Sequence, residues 1–431
     1  METLTQTWQP ILDGELNAQA QDATQSIVAD LTAPQIAPSQ ENRKAGIALF
    51  LAYLTKSFPS QTNQSLVLDW LDQSIDILAT QTLTEQLYGG FTEVAWVAEH
   101  IQNLGIGVES DADLNEEIDQ VLFEYLSQPD WYKTYDLIGG LVGLGVYVLE
   151  RGSRPVALEC LDLILDHLEG LAEVSPQGIT WFTTPSMLSA NQQKLYPQGY
   201  YNLGVAHGVP GVIGLLGQIC QSGHEVKRAK RLLDGAVEWM LTQKLADQSK
   251  SIFPGWMIPG EPPTPTRVAW CYGDLGIAAA LLLAARSVGE SAWEHQAIEI
   301  VLQTANRTYD QSGVIDAGLC HGAAGLVHLL NRMYQATGNT RLKQAACQWV
   351  EYTLRLRQPG EGIGGYFAYL PTENGGFGMI PDPTFLTGAS GIGLALLAAT
   401  TPVTPDWDRL LLASVPPRGS ISPLGCNSAN C

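Results

Sequence analysis

The sequence has no cluster of basic residues. Its 23 lysines and arginines are scattered among 44 aspartates and glutamates, leaving a net charge of −21. Phosphate backbones are held by grouped cations, so no nucleic-acid partner is expected, and the acidity reads as that of an ordinary soluble chain. No signal peptide is expected either: METLTQTWQPILDGELNAQA at the start has neither a basic stretch nor an apolar core. Long apolar runs are equally scarce. The longest, Leu275–Ala285, falls short of the roughly 20 residues that cross a bilayer. The seven cysteines, an odd number spread over the length, make no disulfide framework. These absences together predict a reduced, cytoplasmic setting. Apolar–polar alternation at strand spacing is rare and confined to connections such as Ile179–Thr183, so the fold is expected to be all-α.

What the chain does have is a repeated glycine frame leading into apolar runs. Asp316–Leu330 reads DAGLCHGAAGLVHLL, Trp270–Ala280 reads WCYGDLGIAAA, and Val205–Leu216 reads VAHGVPGVIGLL. Tyr135–Tyr147, YDLIGGLVGLGVY, and Phe385–Leu397, FLTGASGIGLALL, repeat the frame. Helices apolar nearly all round are expected at Ala45–Leu54, Phe91–Ile101, Leu141–Leu149, Val209–Ile219, Leu275–Ala285, Ala323–Leu330 and Ile392–Ala399. Between them lie amphipathic helices: Leu16–Leu31, Asn63–Thr80, Asp113–Leu126, Arg154–Glu173, Glu225–Leu245, Ser291–Thr308 and Arg341–Leu356. A helix without a polar face must be covered on every side, so the first kind sits inside and the second wraps it.

Anchored at Arg43, Gly90, Gly140, Gly208, Gly273, Gly322 and Gly388, the repeat is about 50 residues long with three long insertions. Seven outer–inner pairs with no polar capping repeat at either end predict a closed double ring, one domain over 1–413, rather than an open solenoid. All inner helices then run one way, and their glycine-framed N-termini meet on one face. The insertions Val174–Ala206, Ala246–Trp270 and Gln358–Thr387 are rich in proline, glycine and aromatics and lead onto that face, where they are expected to form a substrate rim.

The chemistry lies at equivalent places of successive repeats. Cys271 and Cys320 each stand two residues before their anchor glycine, and His321 follows Cys320. A lone cysteine is more often a small buried hydrophobe, the reading given to Cys160, Cys220 and Cys347. Equivalent placement in neighbouring repeats instead points to a Cys-Cys-His zinc site whose fourth position stays open. His207, one residue before Gly208, is a candidate acid–base group. Asp136 either orients it or simply caps a helix. Arg267 either balances the charge of an incoming thiolate or is a solvated loop residue, and Tyr272 either donates a hydrogen bond near the metal or packs. His100, His167, His224, His295 and His328 have no frame position and are read as structural or surface.

The Trp-Cys-Tyr-Gly of Trp270–Gly273, the Cys-His-Gly of Cys320–Gly322 and the Ala-His-Gly of Ala206–Gly208 resemble the motifs of the lanthionine synthetase C-like (LanC) cyclases, in order and over essentially the whole chain. The resemblance implies an α/α toroid holding one Zn²⁺ ion on Cys271, Cys320 and His321. It implies His207 as the acid–base residue, with Asp136, Arg267 and Tyr272 as its supporting matches. The implied reaction is intramolecular Michael addition of peptide cysteine thiols to dehydroalanine or dehydrobutyrine, closing lanthionine or methyllanthionine rings. No segment is long enough for the dehydratase half of bifunctional relatives. The implied partners are therefore a dehydrated precursor peptide, a separate dehydratase and a transporter complex at the inner face of the membrane, with the chain itself a monomer.

Two other readings use the same residues: a glutathione-binding thiol-transfer enzyme of the LanC-like type, and a non-catalytic, zinc-stiffened scaffold for peptide binding. Prenyltransferase-type toroids resemble an Asp-Cys-His site instead, and toroid glycosidases need a carboxylate pair that the frame does not supply. The tail, 414–431, holds Ser420, Ser422, Ser428, Cys426 and Cys431 and is expected to be flexible, or else to occupy the site as a mimic of a precursor peptide.

Overall fold

The structure, a computed structural model, describes residues 7–33, 44–59, 64–107, 113–372 and 375–416. Seven inner helices carry the core: α2 (Ala45–Ser57), α4 (Phe91–Asn103), α6 (Leu141–Glu150), α9 (Val209–Ser222), α11 (Asp274–Val288), α14 (Ala323–Thr337) and α16 (Ala389–Thr400). Seven outer helices wrap them: α1 (Gly14–Leu31), α3 (Gln64–Thr80), α5 (Glu116–Leu126), α7 (Pro155–Leu171), α10 (Val226–Thr242), α12 (Ser291–Thr304) and α15 (Thr340–Arg355). Two short helices, α8 (Ala190–Leu195) and α13 (Tyr309–Ser312), sit in connections.

Sequence pattern separates the two sets. In α11 every residue from Asp274 to Ser287 is buried. In α7 only the stripe Ala157, Cys160, Leu161, Ile164, Leu165 and Leu168 is, at the three-and-four spacing of a one-sided helix. Small residues let the inner helices approach closely: a Cβ on Gly217 of α9 would lie 2.8 Å from the Ala284 Cα of α11.

Each inner helix packs on the next, and α16 packs back on α2, which closes the ring. The seventh pair joins the two ends of the chain, because α16 is covered by α1. That closure is why no repeat needs a polar cap. The helix ends differ from the sequence reading in places. Inner helices α9 and α14 run on to Ser222 and Thr337 and stop at the left-handed glycines Gly223 and Gly338. The stretch after α12 turns away into α13.

All the glycine frames meet on one face. At Gly208 a Cβ would lie 2.1 Å from the Asn202 carbonyl oxygen, and at Gly211 2.4 Å from that of Val205. The turn before the helix thus folds back onto its first residues, an approach open only to glycine. The turns are stitched to one another around the face. Leu137 N–H donates to Ala206 O (3.1 Å), Cys271 N–H to Cys320 O (3.1 Å) and Cys320 N–H to Leu386 O (2.8 Å).

The long insertions are partly folded rather than plain loops. β1 (Ala172–Ser175), β2 (Gly178–Thr183), β3 (Tyr200–Asn202) and β4 (Trp256–Met257) form an antiparallel sheet in that order, with Phe182 opposite Tyr201 and Asn202 opposite Trp256. The sheet lies against α10, where Ile179 fills the space left by Gly235. β5 (Ala368–Pro371) and β6 (Phe377–Ile380) form a separate hairpin. The β-branched and aromatic residues of these stretches favour pleated pairing once a helix covers one side.

The segment after α16 fills the inside of the ring. Trp407 and Leu410–Leu412 are fully buried there, the Leu410 carbonyl accepts from Tyr88 OH (2.6 Å), and the Leu411 carbonyl accepts from Trp270 Nε1 (2.8 Å). Asp408 is held by His328 Nε2 (2.9 Å) and Arg332 Nε (2.8 Å), and Arg409 pairs with Glu150 (2.8 Å). Packing continues past residue 413: Arg286 Nη1 donates to Pro416 O at 3.0 Å. Arg286 lies near the C-terminal end of α11, about 20 Å along the helix from its cysteine-bearing start. A cavity of about 540 Å³ opens there, bordered by Arg286, Arg332, Arg409 and Asp406, on the face away from the thiols. The serine- and cysteine-bearing part of the tail, 417–431, lies outside the described residues.

Candidate functional site

The residue two places before the cap glycine is part of the stitched turn. In four successive repeats it is Ile138, Ala206, Cys271 and Cys320. The residue one place before the glycine borders the open face. There the chain carries His207, Tyr272 and His321 in three successive repeats. Two thiols and one imidazole therefore converge: the ligand atoms of Cys271, Cys320 and His321 all lie within 4.8 Å of one another. Among the described residues this is the group of cysteine, histidine and carboxylate side chains able to hold a metal ion.

The electrostatics of the trio fit a cation. The hydrogen bond from Cys320 holds the Cys271 thiol well below its ordinary value, against its burial, and His321 and Arg267 add to the effect. The same bond pushes Cys320 well above its own, and burial adds to the rise. Cys271 also holds His321 above the ordinary imidazole value, although burial opposes it. His321 Nε2 stands 3.8 Å from Asp316 Oδ2. That carboxylate is fixed, since Oδ1 accepts from Gly318 N–H (3.2 Å) and Oδ2 from Tyr369 N–H of β5 (2.9 Å).

His207 and Asp136, 71 residues apart, form a direct pair: Nδ1 to Oδ2 is 2.7 Å. The other carboxylate oxygen of Asp136 accepts from Gly139 N–H at 2.9 Å, which aims Oδ2 at the ring. Asp136 is thus both a turn-holding residue and a histidine partner. Burial lowers the His207 imidazole, but the Asp136 hydrogen bond and charge outweigh it and leave the group above its ordinary value. The His207 side chain is 40% exposed and so remains reachable from the open face.

Tyr272 stacks beside His207, ring centroids 6.0 Å apart, and burial holds its phenol above the ordinary value. Its hydroxyl takes a hydrogen bond from Asn202 Nδ2 at 3.0 Å. Trp256 of β4 meets Tyr272 edge-on (5.9 Å) and Tyr196 likewise (5.8 Å), so the insertions wall this side of the site with aromatic rings. Arg267 is exposed, and its charge acts on both thiols and on His321. Among the described residues it has no hydrogen-bond partner for its side chain.

All seven residues singled out from the sequence therefore gather on one face. Asp316 and Asn202 were not among them. Both stand six residues before an anchor glycine, the place that Arg267 holds before Gly273. The histidines without a frame position are engaged elsewhere. His100 lies between Tyr53 (2.9 Å) and Glu150 (2.8 Å), and His328 faces Asp408.

The profile of the family described as "Lanthionine synthetase C-like protein" matches residues 44–412. The nisin biosynthesis protein NisC of Lactococcus lactis subsp. lactis is 24% identical over 328 residues, 69% of this chain and 73% of that protein. The solved structure of nisin cyclase superposes with a TM-score of 0.67 at 20% identity, over 91% of this chain and 97% of that one, which is a likeness of fold. The family match starts at the first inner helix and ends inside the ring, so it takes in every element of the site, and this chain belongs to the lanthionine synthetase C-like family.

Proposed function

We propose that this protein is a zinc-dependent lanthipeptide cyclase: it adds cysteine thiols of a dehydrated peptide to dehydroalanine or dehydrobutyrine within the same peptide. The observation that carries this reading is the convergence of Cys271, Cys320 and His321 within 4.8 Å. Two thiolates and an imidazole suit Zn²⁺, and three protein ligands leave one position for a sulfur from outside. The likeness to proteins named for nisin biosynthesis and cyclisation supports a peptide substrate.

A Zn²⁺ ion held by this trio would supply the positive charge that keeps the substrate thiol ionised near neutral pH. The remaining work falls to the chain. The substrate sulfur attacks Cβ of the dehydro residue, the Cα–Cβ π pair moves toward the carbonyl, and an enolate oxygen develops. His207, whose protonated form Asp136 favours, takes up the proton that the substrate thiol loses and delivers it to Cα. Tyr272 donates a hydrogen bond to the enolate oxygen, and the Arg267 guanidinium offsets the negative charge gathered in the cleft. The product has the same mass as the substrate, with a C–S and a C–H bond in place of the S–H and the C=C π bond.

A separate dehydratase would have to prepare the dehydro residues. No helix among the described residues is long and apolar enough to cross a membrane. We assign the work to the cytoplasm, where thiols stay reduced.

Incubation with a dehydrated precursor peptide, followed by thiol alkylation, tests the reading. The expected result is loss of alkylatable cysteines at unchanged peptide mass. Persistent thiols in the presence of one equivalent of zinc overturn it, and adducts formed with glutathione instead would favour thiol transfer.

A further inference from the structure

We propose that Asn202 is a positioning residue that keeps the hydroxyl proton of Tyr272 free for the substrate. This rests on the cyclase reading and assigns the group that prepares its enolate-stabilising donor.

At four of the anchors the residue six places before the glycine has a common task, Arg267 before Gly273 being an exception. Thr134 Oγ1 accepts from Asp136 N–H (3.3 Å), Asp316 Oδ1 from Gly318 N–H (3.2 Å) and Asp382 Oδ1 from Thr384 N–H (3.0 Å). Asn202 does the same, its Oδ1 accepting from Gly204 N–H at 2.9 Å. Holding the turn therefore requires only an acceptor, and aspartate or threonine serves. Asparagine adds one thing that neither can, an NH₂ group at its other end.

That group decides the polarity of the contact with Tyr272. The Gly204 N–H fixes which end of the amide is oxygen, so the atom 3.0 Å from the phenol oxygen is Nδ2. An NH₂ group donates and does not accept. The phenol oxygen must then be the acceptor, and its own hydrogen is left for something else. Among the described residues the Tyr272 hydroxyl makes no hydrogen bond as a donor. Asn202 is 1% exposed and tied at both ends, so the arrangement is built into the core rather than set by solvent. With the ring stacked beside His207, the hydrogen is available where the enolate oxygen would form. The proton stays on Tyr272 throughout, so this step donates a hydrogen bond and moves no charge.

Aspartate and serine replacements separate this role from a structural one. Asn202→Asp is nearly isosteric and keeps the turn as Asp316 and Asp382 do, but its second oxygen would accept the phenol proton and sequester it. Asn202→Ser keeps an acceptor for the turn and removes the anchor without trapping the proton. We expect N202D to lower kcat by about 10²-fold, the scale of a lost oxyanion donor, with KM and zinc content unchanged. N202S should be the milder variant. A purely structural role predicts the opposite order, N202D near wild type and N202S worse. In a Tyr272→Phe background N202D should cost nothing further. Losses that multiply there, or the reversed order, overturn the inference, and thermal melting identifies any variant that fails to fold. A wild type that cyclises alongside an equally fast N202D sinks this inference alone. A wild type that consumes no thiol sinks the cyclase reading with it.

Discussion

The backbone N–H of Cys271 donates to the carbonyl of Cys320 at 3.1 Å, so the two thiol-bearing turns are hydrogen-bonded neighbours before any ion is considered. The register of the two turns is thus built into the ring.

It follows that the site and the fold are separable. Cys271→Ala and Cys320→Ala should each bind less than a tenth of the wild-type zinc, measured by elemental analysis after gel filtration, while far-UV circular dichroism stays helical. Loss of helicity on metal removal would instead identify a structural ion.

Asp316 is fixed by the turn and by strand β5, with its Oδ2 3.8 Å from His321 Nε2. Removing its carboxylate with Asp316→Ala orphans two backbone N–H groups and takes away the charge beside the imidazole. Changes to such outer partners weaken metal binding about 10- to 100-fold. Competition with a zinc chelator reads the affinity directly, and an unchanged value would show that the 3.8 Å approach has no consequence.

The pH–rate profile carries the signature of the His207–Asp136 pair. Because the folded-state imidazole lies above its ordinary value, the protonated form survives to higher pH and is lost only as pH rises through that raised value. Rate should therefore fall on the alkaline side of about pH 6.5, the unperturbed imidazole value. Asp136→Asn removes the charge and should slide that limb toward lower pH, so the variant loses more at alkaline than at acidic pH. A limb that does not move in D136N removes His207 from the role of acid.

Acid should loosen the segment inside the ring. Burial holds His328 below the ordinary imidazole value, so the unfolded chain takes up a proton that the folded chain refuses, and stability falls as pH drops below about 6.5. Asp408, despite its burial, is held low by Arg332 and His328, and its share is lost only at more acidic pH, as pH falls through its folded-state value. Melting temperatures measured at descending pH should fall in that order, and His328→Gln should flatten the upper part of the slope.

Removing the guanidinium leaves the Asp408 charge buried and unpaired except for a neutral imidazole. Arg332→Met should cost about 3–5 kcal/mol in urea unfolding, the range for breaking a buried pair. A loss below about 1 kcal/mol would mean that the segment is held by its apolar residues alone.

Much of the architecture could be read from the chain. Leu161, Leu165 and Leu168 show why the outer helices were legible: a one-sided pattern such as that of α7 states locally which face is buried. The unbroken apolar stretch of α11 states that nothing faces water. The glycine frame repeats at Gly208, Gly273 and Gly322, so Cys271 and Cys320 had to fall at the same place in adjacent repeats. The strands were harder to see. β3 and β4 are too short for any period to register, and they pair across more than 50 residues.

The sequence by itself determined the ring, the alternation of covered and covering helices, and the meeting of two thiols and an imidazole, because each depends on a pattern repeated within about 50 residues. Only the tertiary structure decided that Asp136 reaches His207, that Asn202 reaches Tyr272, and that Leu410–Leu412 fill the inside of the ring. Those contacts join residues whose separation along the chain is set by insertions of unequal length. They exist because closing the ring fixes the angle between repeats, which no local pattern encodes.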